Sequence, residues 1–176
     1  MRFAPFQLPV IEALHVMIKR TIATILLVFS GFCLGGTVQE GKEESQELMD
    51  AVLPLAQRLL SEHGEFFPYG GAMTPEGKIV SVAAYDGDEH PASSEVIDML
   101  HKAFHTAAKN KEYKATALVY DVRVQLANGE PSDALAIELD HESGYSTVVL
   151  LPYTLNNGQL QYGETSAQAG ESNVFQ

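Results

Sequence analysis

Between Ala115 and Tyr153 lie three successive runs of strand-like residues, and this pattern constrains the fold more than any other feature of the chain. In residues 115–126, Leu118, Tyr120, Val122, Val124 and Leu126 fall on one side and Asp121, Arg123 and Gln125 on the other. In residues 133–140, Leu135, Ile137 and Leu139 form the inward set. Asn128-Gly129 is a tight-turn signal between these two runs, and Gly144 separates the second from a third at 145–153. A period of two belongs to strands half buried against a core, so the three runs predict an antiparallel meander.

Two helices and a hairpin precede it. Over 47–63, Leu48, Val52, Leu55 and Leu59 recur at near-helical spacing, Gly64 stands where a C-terminal cap needs a left-handed residue, and Pro54 breaks the ladder midway. Strands over 66–73 and 78–85 flank Thr74-Pro75-Glu76-Gly77, whose Pro and Gly suit a type I turn, and Pro68 sets the first of them at an edge or at its own start. Ser93 or Ser94 caps a second helix running to about Lys109, with Val96, Ile97, Leu100, Phe104, Ala107 and Ala108 on its buried face. Residues 159–162 are a candidate short last strand. The fold class read from this order is α+β: a five-stranded, mainly antiparallel sheet with two helices packed on one face.

Domain organisation follows from composition. Residues 17–37 read as a secretory signal, with Lys19 and Arg20 before an apolar run from Ile22 to Leu34 and small residues from Gly35 to Thr37. The run is about a dozen residues, short of the roughly 20 that a spanning helix needs. Cys33 raises a lipoprotein reading, but Phe32 is larger than the residue that such processing accepts before the cysteine. Residues 1–16 read as a mis-called extension, 38–46 as a charged linker, 47–163 as one α+β domain and 164–176 as a mostly flexible tail on which Val174 and Phe175 dock. The expected location is periplasmic or secreted.

The order helix, hairpin, helix, three-strand meander resembles the Roadblock and profilin-like architecture, in which helices cover a five-stranded antiparallel sheet. That resemblance is one of topology and implies no activity. The run EFFPYGGAMTPEGKIV, with the later LVYDVRVQL, DALAIELDH and LLPY, also resembles a widespread group of small bacterial domains with no assigned function. The similarity covers most of residues 47–175 and implies no catalytic residue.

Charge narrows the partners. The formal net charge is −12, and loss of a leader carrying Arg2, Lys19 and Arg20 against Glu12 makes it more negative still. Nucleic acid and anionic membrane surfaces are therefore excluded as natural partners, a membrane being reached only through an uncleaved leader. With Cys33 as its one cysteine, the chain past the signal has neither disulfide nor thiol chemistry.

Catalytic motifs are missing from the sequence: it holds no phosphate-cradling glycine loop, no Gly-x-Ser-x-Gly elbow and no paired CxxC. Asp98, His101 and His105 fall on one helical stripe that could hold Zn²⁺, although Lys102 stands where metalloprotease helices carry Glu. Residues 86–90 read as a polar loop rather than a calcium loop, and His141 between Asp140 and Glu142 as a turn. Alternation sets Asp121 and Arg123 beside Glu138 and Asp140 on one polar sheet face, with Tyr69 and Tyr85 as aromatic anchors for a docking partner. The function read from the chain is an exported, non-enzymatic binding or protein-interaction module whose acidic face meets a cationic protein, as an immunity protein does. A homodimer through the same face is the self-association it allows, and no cofactor is implied. The alternative is a small metal-dependent hydrolase using the stripe of Asp98, His101 and His105.

Overall fold

The computed structural model describes residues 37–85, 87 and 91–176. Residues 1–16 and all of the expected signal but Thr37 lie outside these, as does most of the 86–90 loop. Thr37 opens the first helix, α1 (Val38–His63): its hydroxyl accepts from the Glu40 amide at 3.2 Å, and the Glu40 carboxylate accepts from the Thr37 amide at 2.6 Å. The helix thus begins at Val38 rather than Glu47, and residues 38–46 are its opening turns, not a linker. Its charged residues Lys42, Glu43 and Glu47 face water. Gly41, Ser45, Leu48, Val52, Ala56 and Leu60 make the buried stripe. Gly64, at φ +80°, ends the helix as expected.

The remaining elements are β1 (Tyr69–Met73), β2 (Ile79–Val82), α2 (Ser93–Lys109), β3 (Ala115–Gln125), β4 (Pro131–His141), β5 (Ser146–Asn156), β6 (Gln159–Tyr162) and β7 (Ser166–Ala169). Ser93 and Ser94 are the first residues of α2; Ala92 occupies the cap position, and its amide is taken by the Glu95 carboxylate. The sheet is antiparallel throughout, ordered β2-β1-β3-β4-β5-β6, with β7 also on β5. It has seven strands among the described residues rather than five. The two extra-short strands share the outer edge of β5, β6 opposite Tyr153–Asn156 and β7 opposite Thr147–Leu150, so part of the tail expected to be free is paired. Asn157 and Gly158, both at positive φ, supply the turn into β6.

The two helices lie on opposite faces of the sheet, not together on one. Helix α1 packs on Tyr69, Met73, Ala117, Val119, Leu135 and Ile137, whereas α2 packs on Ala72 and Leu118 with Val174 from the tail. Adjacent strand residues point to opposite faces, so these sets are the two sides of one sheet. All of β1 and the first five residues of β3 are buried accordingly. Two glycines make this possible: a Cβ on Gly70 would overlap the Phe104 ring of α2, and one on Gly71 would overlap Val52 of α1.

Tyr69 ties β1 into the backbone of α1 beside Pro54. Its ring is 9% exposed, and its hydroxyl donates to the Val52 carbonyl (2.8 Å) and accepts from the Ala56 amide (3.0 Å). An α-helix pairs these two groups with each other. Burial holds the Tyr69 phenol in its neutral form, with a pKa pushed up to about 12. Tyr69→Phe should cost about 1–3 kcal/mol, because it strips a buried carbonyl and a buried amide of their partner, as urea unfolding would register. Gly70→Ala should cost about 1–3 kcal/mol by overpacking against Phe104. In the double variant Gly70→Ala/Phe104→Leu the two costs should fall short of additivity by about 0.5 kcal/mol or more; additive losses would place the Gly70 requirement elsewhere.

Candidate functional site

The helices cover their faces unequally. Helix α1 lies across β1, β3 and β4 and reaches β6, while α2 sits mainly over β1 and β3. Past α2, the same sheet face is left as a cleft of about 490 Å³ between α2, the strands β3 to β5 and the chain leaving β7. Strand register orders this surface in rows. Asp140 pairs with Ser146, Glu138 lies between Leu118 and Val148, Ala136 between Tyr120 and Leu150, and Ala134 between Val122 and Pro152. One end is therefore acidic and the other apolar.

At the acidic end, the Tyr120 hydroxyl donates to Glu138 Oε1 at 2.7 Å and His101 Nε2 lies 3.5 Å from Glu138 Oε2. Burial raises the Asp140 carboxyl above the usual aspartate value, against a Ser146 hydrogen bond and the attraction of His101, which lower it. Burial, followed by the Glu138 bond and charge, likewise raises the Tyr120 phenol. The walls add Glu171, Gln168 and Asn173 but, among the described residues, no lysine or arginine. Such a cleft can hold a cation while resting an apolar stem on Val122 and Leu150.

The expected four-residue polar face divides in two. Because Leu118 pairs with Glu138 and Asp121 pairs with Leu135, Glu138 and Asp140 share the α2 side, while Asp121 and Arg123 lie on the α1 side. There Arg123 pairs with Asp133 opposite it at 2.7 Å, an exposed cross-strand bridge, and Asp121 accepts from the Tyr153 hydroxyl at 3.0 Å. Tyr69 is core, whereas Tyr85 is 72% exposed. The metal stripe does not converge: Asp98 is exposed, His101 turns to Glu138, and His105 Nδ1 meets the Val174 carbonyl at 3.2 Å. Among the described residues no group of three His, Cys, Asp or Glu is placed to hold a metal ion. Nor is any described helix long and apolar enough to cross a membrane.

His141 does more than turn the chain. It is 3% exposed, its Nε2 lies 2.8 Å from Glu44 Oε2, and its Nδ1 accepts from the Ser143 amide at 2.9 Å, with Ser143 Oγ at the same distance. Lys114 donates to the other Glu44 oxygen. Serine, histidine and glutamate thus stand in line, but this is a lock rather than a triad: the Nδ1 lone pair is engaged by a backbone amide, and Gly41 of α1 closes over Ser143 Oγ. The opening turns of α1 are fastened to the ends of β3 and β4 by this network. Sequence spacing gave no sign of it, since Glu44 and His141 are far apart along the chain.

The chain matches no protein-family model, no curated protein and no solved structure.

Burial acts to raise the Glu44 carboxyl, but the bonds and charges of Lys114 and His141 outweigh it and hold it below the ordinary value of 4.5. A depressed carboxylate stabilises the fold above its unfolded pKa and loses that contribution as pH falls through its folded one. Glu44→Ala should therefore cost about 1.5–3 kcal/mol at pH 7, and the gap from wild type should close as urea titrations move below pH 4.5. A gap independent of pH would mean that Glu44 acts through packing alone.

Proposed function

We propose that this chain is an exported interaction module that binds a cationic protein through the cleft of Glu138, Asp140 and His101, in the manner of an immunity protein. One observation carries the reading: α2 leaves part of one sheet face open, and the cleft there is lined by three carboxylates, Glu138, Asp140 and Glu171, without a lysine or arginine among the described residues. The net charge of −12 points the same way, since a negative field draws in a basic partner and speeds its encounter. Export rests on the cationic, apolar and small-residue segments of 17–37.

Capture from an envelope fraction, using the chain expressed with its own leader, identifies the partner. The association rate should then fall by about tenfold or more at low salt for Glu138→Gln/Asp140→Asn, and the two proteins should converge as salt is raised. The change in urea stability should stay within about 1 kcal/mol, these groups being partly solvated. Equal association rates at low salt would remove the cleft from the interface.

A further inference from the structure

Within the cleft the chemistry changes along one direction, and this bears on what enters it. The rows of Glu138 and Asp140 are carboxylate; past them the lining is apolar, made by Val122, Val124 and Leu150 over the wholly buried Ala134 and Ala136. A ligand lying along the cleft therefore needs a cationic head and several methylenes behind it. Glu138 and Asp140 are two residues apart on one strand and face the same way, so their carboxylates form a pair of acceptors rather than a point. Tyr120 already occupies one Glu138 oxygen, and His101 Nε2 lies 3.5 Å from the other. An ammonium would have to be stripped of a tight hydration shell to sit between such partly satisfied acceptors. A guanidinium is planar, less strongly hydrated, and carries five N–H donors in a fork that can reach two carboxylates at once.

From these observations, which rest on the proposed interaction reading, we infer that the cleft is an arginine pocket: one arginine side chain of the protein partner lies along it, guanidinium against Glu138 and Asp140, stem on Val122 and Leu150. The occupant follows from charge complementarity, because among the described residues the lining offers three carboxylates and no lysine or arginine, with His101 as its one basic group, 3.5 Å from Glu138 Oε2.

The probe is N-acetyl-arginine amide, titrated into the full chain and followed by amide chemical shifts. N-acetyl-lysine amide supplies the charge without the fork, and N-acetyl-citrulline amide the shape without the charge. Expected are saturable shifts at Tyr120, Glu138, Asp140 and Val148, weakened at least fivefold for lysine and at least tenfold for citrulline, and lost in Glu138→Gln/Asp140→Asn. Because that variant removes charge without adding bulk, unchanged shifts elsewhere in its spectrum certify its fold. Lysine binding as well as arginine would overturn the pocket, as would citrulline binding as well as arginine, or shifts centred away from these residues. If the captured partner depends on Glu138 and Asp140 but arginine does not bind, the pocket fails and the interaction reading stands. If arginine binds as expected but the partner ignores both carboxylates, the pocket's preference for arginine stands, while the interaction reading and the placing of the partner's arginine there both fail.

Discussion

Two adjacent residues without side chains let both helices descend onto one strand. Neighbouring positions on β1 face opposite ways, so Gly70 receives Phe104 of α2 and Gly71 receives Val52 of α1. Any larger residue at either place would lift a helix off the sheet, and the flanking Tyr69, Ala72 and Met73 could not then be buried as they are. The arrangement resembles a three-layer sandwich at β1 and thins to two layers beyond β3. The thin region is where the sheet has a face to spare.

That asymmetry follows from the lengths and anchors of the helices. Helix α1 is 26 residues long and is tied at its start by Glu44 to Lys114 and His141, so it is laid across the sheet. Helix α2, with 17 residues, is held near β1 by Phe104 over Gly70 and does not reach β4 with a comparable anchor. The chain after β7 fills part of the gap by burying Val174 beside Leu100 and Leu118, which makes the tail a wall of the cleft rather than a loose end.

What could be read from the sequence was local. The meander, the Asn128-Gly129 turn, the Gly64 cap and the α2 stripe of Val96, Leu100, Phe104 and Ala107 all depend on residues within a few positions of each other. The opening of α1 escaped because its buried positions, Gly41 and Ser45, are too small to show an apolar stripe among charges. Two-sided burial was signalled by YGGAM and ATALV, runs of small and apolar residues without alternation, but alternation was carried over from the later part of β3. The side on which Glu138 lies was beyond reach for a different reason. It depends on the register between β3 and β4, where a slip of one residue exchanges the faces, and hydropathy does not set that register when Ala134, Ala136 and Leu135 are all buried. Strand β7, SAQA, is exposed throughout and exists because β5 offers it an edge.

The hydroxyl of Tyr69 lodged in α1 also has a kinetic meaning. Most helices can begin to form alone and dock afterwards, because their hydrogen bonds are internal. Here the Val52 carbonyl and the Ala56 amide, on either side of Pro54, also bond the hydroxyl of a strand residue. The middle of α1 therefore gains its full bonding only when β1 is already in place beneath it. Part of the helix's bonding is thus non-local, which moves the barrier to folding toward a structure in which sheet and helix are assembled together.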